Sequence, residues 1–513
     1  NTSAVTVTGT GGNSIHLSNN SSAGDSSYSL ITGGAGNVQI DEVNNNLLFS
    51  TLTTTGNVSL NSSAGNISGS GFTIGGTAAF ANSTSNKTIT LSTGTSGISG
   101  QVTFTTTGSL ADVNYNNGTG GINISSSSSL GGKLFINSSN SLILSNAIQL
   151  ASAGSNVTVN VTGGNDLAVN AAITTGAGDI ILKADGNISF SAAGDLTTTT
   201  GDIDVSADND NSGAGTLTMV SGTVFHNTTT LTGNTALTSA GNMTLYDITT
   251  NSLTLESRTG SITTNAPLAM DGSMHSASGA GTTVGGTITT NDPINIVTDT
   301  VSTSTSGLTV NAAVNSTGHS INGAGYDVDL NASVTASGSS IAFAVREAIH
   351  NINGTALSFV TADSLGISSG GTIATDATIS SGQSAGINQM FMRANGSITF
   401  DHAVAFKTLT MDASGGVSLN ANVTTTGDFI ARADSDRDGN GIFSQASGTT
   451  LTSTNGSIFI NGSQIFLSGN RSAPNGSINI TDQPLSAGQE AVIKQAIEST
   501  FLTEFLESSQ TGC

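Results

Sequence analysis

The 513-residue chain has one cysteine, four prolines and no tryptophan, and aromatic residues make up only 4% of it. The lone Cys513 permits no internal disulfide, so a disulfide-stapled scaffold is excluded. Four prolines exclude collagen and Pro/Ser stalks. Positive charge is scarce: Lys and Arg number 11 against 33 Asp and Glu, for a net charge of -22 and a pI near 4.2. A chain without a basic footprint is not built to bind nucleic acid or an anionic lipid surface. Charged residues of all kinds are 9% of the sequence, against about 25% in a typical soluble domain. Long apolar runs are missing as well, since the stretch 136–150 is interrupted by Asn and Ser and falls short of the roughly 20 residues of a membrane span. Hydrophobic residues still reach 35% and are spread evenly, which excludes plain disorder. Asn1 leads at once into strand-like sequence at Val5 and Val7, so any export signal is expected to have been removed or to lie outside this sequence.

What is abundant is small. Gly accounts for 65 residues, and Ser and Thr together for roughly a third. A Gly-(Asn/Asp/Ser/Gly)-(Ile/Val) element recurs as GNVQI, GNVSL, GNISF, GDIDV, GSITT, GSITF, GGVSL, GSIFI and GSINI. Its glycines pair off as Gly36 and Gly56, Gly241 and Gly260, Gly396 and Gly415, and Gly456 and Gly476, each pair about 20 residues apart, which is the period of a repeat architecture. Between these punctuations apolar residues alternate, as in Val58-Ser59-Leu60, Ile188-Ser189-Phe190 and Ile203-Asp204-Val205. That is the period of a half-buried strand. Short strands with turns at every repeat, and no helical pattern between them, predict coils stacked into a β-solenoid. At about 4.8 Å per coil, residues 1–480 would make roughly 24 coils and a rod on the order of 115 Å long.

At these residues the chain resembles the filamentous-haemagglutinin-like exoproteins of bacterial two-partner secretion and related large surface adhesins. The resemblance implies a right-handed parallel β-helix and an extracellular, non-enzymatic protein of the cell surface. It implies a structural or adhesive role, either as a filament or as a single rod that binds surface glycans.

Two acidic segments, well separated along the chain, match without a gap: Asp208-Asn209-Asp210-Asn211-Ser212-Gly213 and Asp434-Ser435-Asp436-Arg437-Asp438-Gly439. Alternate oxygens followed by a glycine make the first half of a calcium loop, so Asp208, Asp210 and Ser212, and Asp434, Asp436 and Asp438, are candidate calcium ligands. Met219 and Gln445 stand where an EF-hand needs its Glu, so the remaining ligands would come from carbonyls or a neighbouring coil. The competing reading is a solvated turn whose carboxylates bond their own backbone.

Basic residues are scattered singly, and the densest mixed group is Arg346, Glu347 and His350, with Asp401-His402 distant in sequence. Carbohydrate-active β-helices need clustered acids and bases, so a carbohydrate-active enzyme is the weaker reading. Asn-x-Ser/Thr sequons such as Asn57-Val58-Ser59 and Asn187-Ile188-Ser189 are as frequent as the composition generates, and their Asn residues can stack as ladders instead of carrying glycans.

The strand pattern stops after Ile480 and Pro484, dividing a shaft at 1–480 from a segment at 481–513. Ser486 to Glu490 reads as a capping box that opens an amphipathic helix of about 20 residues, with Val492, Ile493, Ala496, Ile497, Phe501, Phe505 and Leu506 on one stripe. A solenoid's last coil must be covered. The helix is expected either to cap its own shaft or to dock on the next subunit in a head-to-tail homopolymer, with Ile493, Ile497, Phe501, Phe505 and Cys513 at the contact.

Overall fold

The computed structural model describes the chain except residues 1–2, 10–11, 21, 23, 94–96, 118–122, 126–129, 151–153, 229–231, 299–306, 333, 338, 349–359, 362–363, 370–372, 376–388, 402 and 483–513. Among the described residues the regular elements are all strands, and the pairings between them are parallel, as in Val157–Val161 with Ile180–Ala184 and Ile180–Ala184 with Ile203–Ala207. The protein is a parallel β-solenoid. It divides into two units, Asn1–Gly260 and Ser261–Cys513.

In the first unit a continuous ladder begins at Ser3–Gly9 and Ser26–Thr32 and runs to Leu253–Ser257. Where the repeat is most regular each coil carries three strands: Ile180–Ala184, Ile188–Phe190 and Leu196–Thr198 make one, and Ile203–Ala207, Leu217–Thr218 and Val224–Asn227 the next. The second unit repeats the plan, with Thr408–Ala413, Gly416–Leu419 and Val423–Thr425 stacked under Phe429–Arg432, Ile442–Gln445 and Thr450–Ser453. Coil length varies: the coil that carries Thr235 into register with Leu253 is short, while the one that carries Ile203 into register with Thr235 is far longer. The coils are therefore fewer than the roughly 24 expected from a uniform repeat, because loops are inserted between corners that are closely spaced elsewhere. The segment expected to be helical lies, from residue 483 onward, outside the described residues.

Alternation fixes the interior. In Ile203–Ala207, Ile203, Val205 and Ala207 are buried while Asp204 and Ser206 face outward. Each such Ile, Leu or Val contributes about 1.5–3 kcal/mol by leaving water, and stacked ladders of them replace a globular core. Aromatic residues join the ladders in runs: Phe80 stacks on Phe104 at 5.9 Å, and Phe104 meets Tyr115 edge-on at 5.4 Å. Where a large ring needs room, an adjacent coil supplies a glycine. Gly69 follows Phe49 by one coil, and a Cβ there would sit 1.8 Å from the ring; Gly323 precedes Phe343 by one coil, and a Cβ there would sit 2.7 Å from its ring.

The corners explain the repeated Gly-(Asn/Asp)-(Ile/Val) element. The backbone N–H of Asp179 donates to Asn156 Oδ1 at 3.1 Å, that of Asp202 to Asp179 Oδ1 at 3.0 Å, and that of Asn234 to Asp202 Oδ1 at 2.7 Å. Each Asn or Asp thus satisfies the orphan donor of the coil above. Asn57 and Asn187, both in sequons, belong to such ladders, accepting from Thr77 and Thr216 at 2.9 Å. The preceding glycine is required by close approach, since a Cβ at Gly201 would lie 2.2 Å from the Gly178 carbonyl oxygen. A buried Thr closes the corner from inside: Thr198 Oγ1 donates to Gly178 O at 3.2 Å and accepts from the Gly201 N–H at 2.9 Å.

Candidate metal centre: two acidic loops

Both acidic segments leave the end of a strand, Ile203–Ala207 in the first unit and Phe429–Arg432 in the second. Both turn through a left-handed residue at the same place, Asn211 at φ 58° and Arg437 at φ 59°, and then a left-handed glycine, Gly213 at 91° and Gly439 at 83°. Both return through a glycine pressed against the strand end. A Cβ would sit 2.4 Å from Asp208 N at Gly215 and 1.8 Å from the Ala433 oxygen at Gly441. The shared sequence pattern therefore encodes these shared features, while Asp208, at φ 61°, is left-handed as well and Asp434 is not.

The carboxylates are wired differently. Asp208 is fully buried, at 0% exposure. Its Oδ1 accepts from Ser212 Oγ at 2.7 Å, from the Gly213 N–H at 2.8 Å and from the Ala214 N–H at 3.3 Å. Its Oδ2 is paired with the Arg258 guanidinium, which also donates from Nη2 to the Asp208 carbonyl at 3.0 Å. Burial alone would push this carboxyl up; the hydrogen bonds from Ser212, Ala214, Gly213 and Arg258 outweigh it and hold it below the ordinary carboxylate value of 3.8. The positive charge that a buried carboxylate needs is thus already supplied in the first loop. Asp210, exposed, accepts from the Ser212 N–H at 3.2 Å, and the Ser212 hydroxyl is committed to Asp208.

In the second loop Asp434, Asp436 and Asp438 each place a carboxylate oxygen within 4.8 Å of the others. Asp434 Oδ1 is buried with no hydrogen-bond partner among the described residues. Asp438 accepts from the side chain and backbone N–H of Asn440, at 2.9 and 2.8 Å, and these two bonds hold its carboxyl below the ordinary value. Three carboxylates at this density repel one another, which a hard divalent cation would relieve.

Neither loop gains a ligand from the twelfth position. Met219 is buried in the core. Gln445 is buried too, its Nε2 donating to Asn470 O at 3.0 Å and its Oε1 accepting from Arg471 at 3.1 Å.

Arg258 escapes a local reading of sequence because it is 50 residues from Asp208. Coil register would have found it. Asp208 follows strand Ile203–Ala207 as Ala240 follows Thr235–Ser239 and Arg258 follows Leu253–Ser257, so Arg258 stands two coils along, across a small residue. The same register from Asp434 meets Ser463 one coil along, which carries no charge.

Of the residues considered for catalysis, Arg346 and Glu347 fall on strand Ser340–Ala348, His350 and His402 lie outside the described residues, and Asp401 accepts from Asn420 Nδ2 at 2.8 Å. The stripe at Ile493, Ile497, Phe501 and Phe505 and the terminal Cys513 also lie outside them. Among the described residues no helix is long and apolar enough to cross a membrane. Comparison with protein-family models, with curated proteins and with solved structures returns no match.

Proposed function

We propose that this protein is an extracellular, non-enzymatic surface protein in which the β-solenoid is a structural or adhesive shaft. The supporting observation is how its polar groups are used. Corner Asn, Asp, Ser and Thr are engaged in joining one coil to the next, as in the run from Asn156 to Asn234, and the outward strand positions are mostly small and uncharged. Such faces suit contact with neutral polar surfaces such as glycans. A glycan array tests the adhesive part, with binding by purified protein as the expected result. Incubation with a polysaccharide panel tests the rest: reducing-end release should stay at the buffer level, and turnover that disappears in Arg346→Ala or Asp401→Ala would make the protein an enzyme.

A second reading concerns calcium, which we assign to the Asp434, Asp436 and Asp438 loop because of its three converging carboxylates and the buried, unpartnered Asp434 Oδ1. The loop leaves coordination positions for carbonyls or water. Calcium bound only by the folded state raises stability by mass action, about 2.7 kcal/mol at a hundredfold excess over Kd.

A further inference from the structure

The solenoid's last described coil is open on one side. Its strands are Gln464–Leu467, Asn470–Ser472 and Ile478–Thr481, and each pairs with the coil before it. Register shows which side chains face the interior: Ile465 stacks on buried Phe443, and Ile478 and Ile480 stack on buried Ile458 and Ile460. In an inner coil these positions are closed. Here Ile478 is 43% and Ile480 40% exposed, and Ile465 and Leu467 are half-buried. The third face differs, because Arg471 takes the inward register over Leu451. Its guanidinium donates to Gln445 Oε1 at 3.1 Å and to the Gly469 carbonyl at 2.9 Å. The apolar ladder therefore ends in an aliphatic surface with one positive charge set into it.

We propose that residues 486–507 of this same chain fold back across that surface, laying their apolar stripe on Ile465, Leu467, Ile478 and Ile480 and bringing an acidic side chain to Arg471. Three observations single out this occupant. The segment begins just beyond Asp482, and so short a tether gives it a millimolar effective concentration that a second copy at micromolar levels does not match. Its apolar positions recur at helical spacing, so one face can cover four aliphatic side chains. Its polar positions carry Glu490, Glu498, Glu504 and Glu507 against Lys494, complementary to the guanidinium. An unpaired strand edge left bare would recruit other chains.

Disulfide trapping in the 513-residue chain tests this. In a Cys513→Ser background, Ile480→Cys is combined in turn with Ile493→Cys, Ile497→Cys, Phe501→Cys and Phe505→Cys. Ile480 is already exposed, so its replacement leaves the inner coils intact, and an unchanged circular-dichroism melt checks this. Matched controls use Asn479→Cys, the neighbouring position on the outward side of the same strand. The expected result is that at least one Ile480 pair closes within the monomer, at a yield tenfold or more above its Asn479 control and independent of protein concentration. Disulfide-linked dimers and ladders would instead assign the surface to a second copy, and yields equal to the controls would show that the segment does not lie there. Either result overturns the proposal.

Discussion

The loops at 208–215 and 434–441 share a sequence pattern, a left-handed turn and a returning glycine, yet they handle negative charge in opposite ways. In the first, a fully buried carboxylate is closed off by three donors from its own loop and by an arginine from two coils away. In the second, three carboxylates converge and one buried oxygen has no donor among the described residues. Part of the difference is local, since Ser212 stands where the second loop has Asp438; the rest comes from coil register, which sets what each loop meets one or two coils along.

The largest effect should come from breaking the Arg258 pair. Removing one partner of a buried ion pair typically costs about 3–5 kcal/mol, so Arg258→Met should lower the unfolding free energy by that order in urea titrations. The double variant with Asp208→Asn should recover much of the loss. Additive costs in that cycle would show that the pair is not coupled.

The loops should respond alike where their backbones are alike. Gly215→Ala and Gly441→Ala each force a Cβ into backbone, and each should cost roughly 1–3 kcal/mol. A large cost at one glycine and none at the other would break the shared geometry.

Acid should act in the same direction on both loops, because Asp208 and Asp438 are each held below the ordinary carboxylate value; the buried Asp208 is the one to follow. Asp208 has a lowered carboxyl pKa in the folded state, so its contribution is fully present above the unfolded value of about 3.9 and is lost as pH falls through the folded value. Wild-type stability should therefore decline below about pH 4, and Asp208→Asn should flatten that part of the profile. An unchanged slope would contradict the wiring.

The smallest effect belongs to the exposed Asp210, whose replacement by Ala should change stability by less than about 0.5 kcal/mol.

Much of this architecture was legible in the sequence for physical reasons. Alternation in Ile203-Asp204-Val205 and the regular glycine steps reflect strand period and corner spacing, both local properties. The repeated Gly-Asn-Ile and Gly-Asp-Ile elements announced corners but not their chemistry, because the Asp179 carboxylate meets its donor only when Asp202 arrives one coil later. Insertions hid the coil count: the long step from Ile203 to its partner Thr235 contains the first acidic loop. The acidic spacing itself pointed equally to Asp208 and Asp434. Ser212 in place of Asp438 distinguishes them locally, and the three-dimensional register, which places Arg258 above one of them, completes the distinction.

Calcium titration of the wild type, of Asp434→Asn/Asp436→Asn and of Asp210→Asn, followed by calorimetry and by thermal melts in millimolar calcium and in chelator, tests the difference between the loops most directly. The account predicts one site per chain in the wild type and in Asp210→Asn, and neither heat of binding nor calcium-dependent melting shift in Asp434→Asn/Asp436→Asn. Two sites in the wild type, one of them lost in Asp210→Asn, or a melting temperature indifferent to calcium in all three proteins, would contradict it.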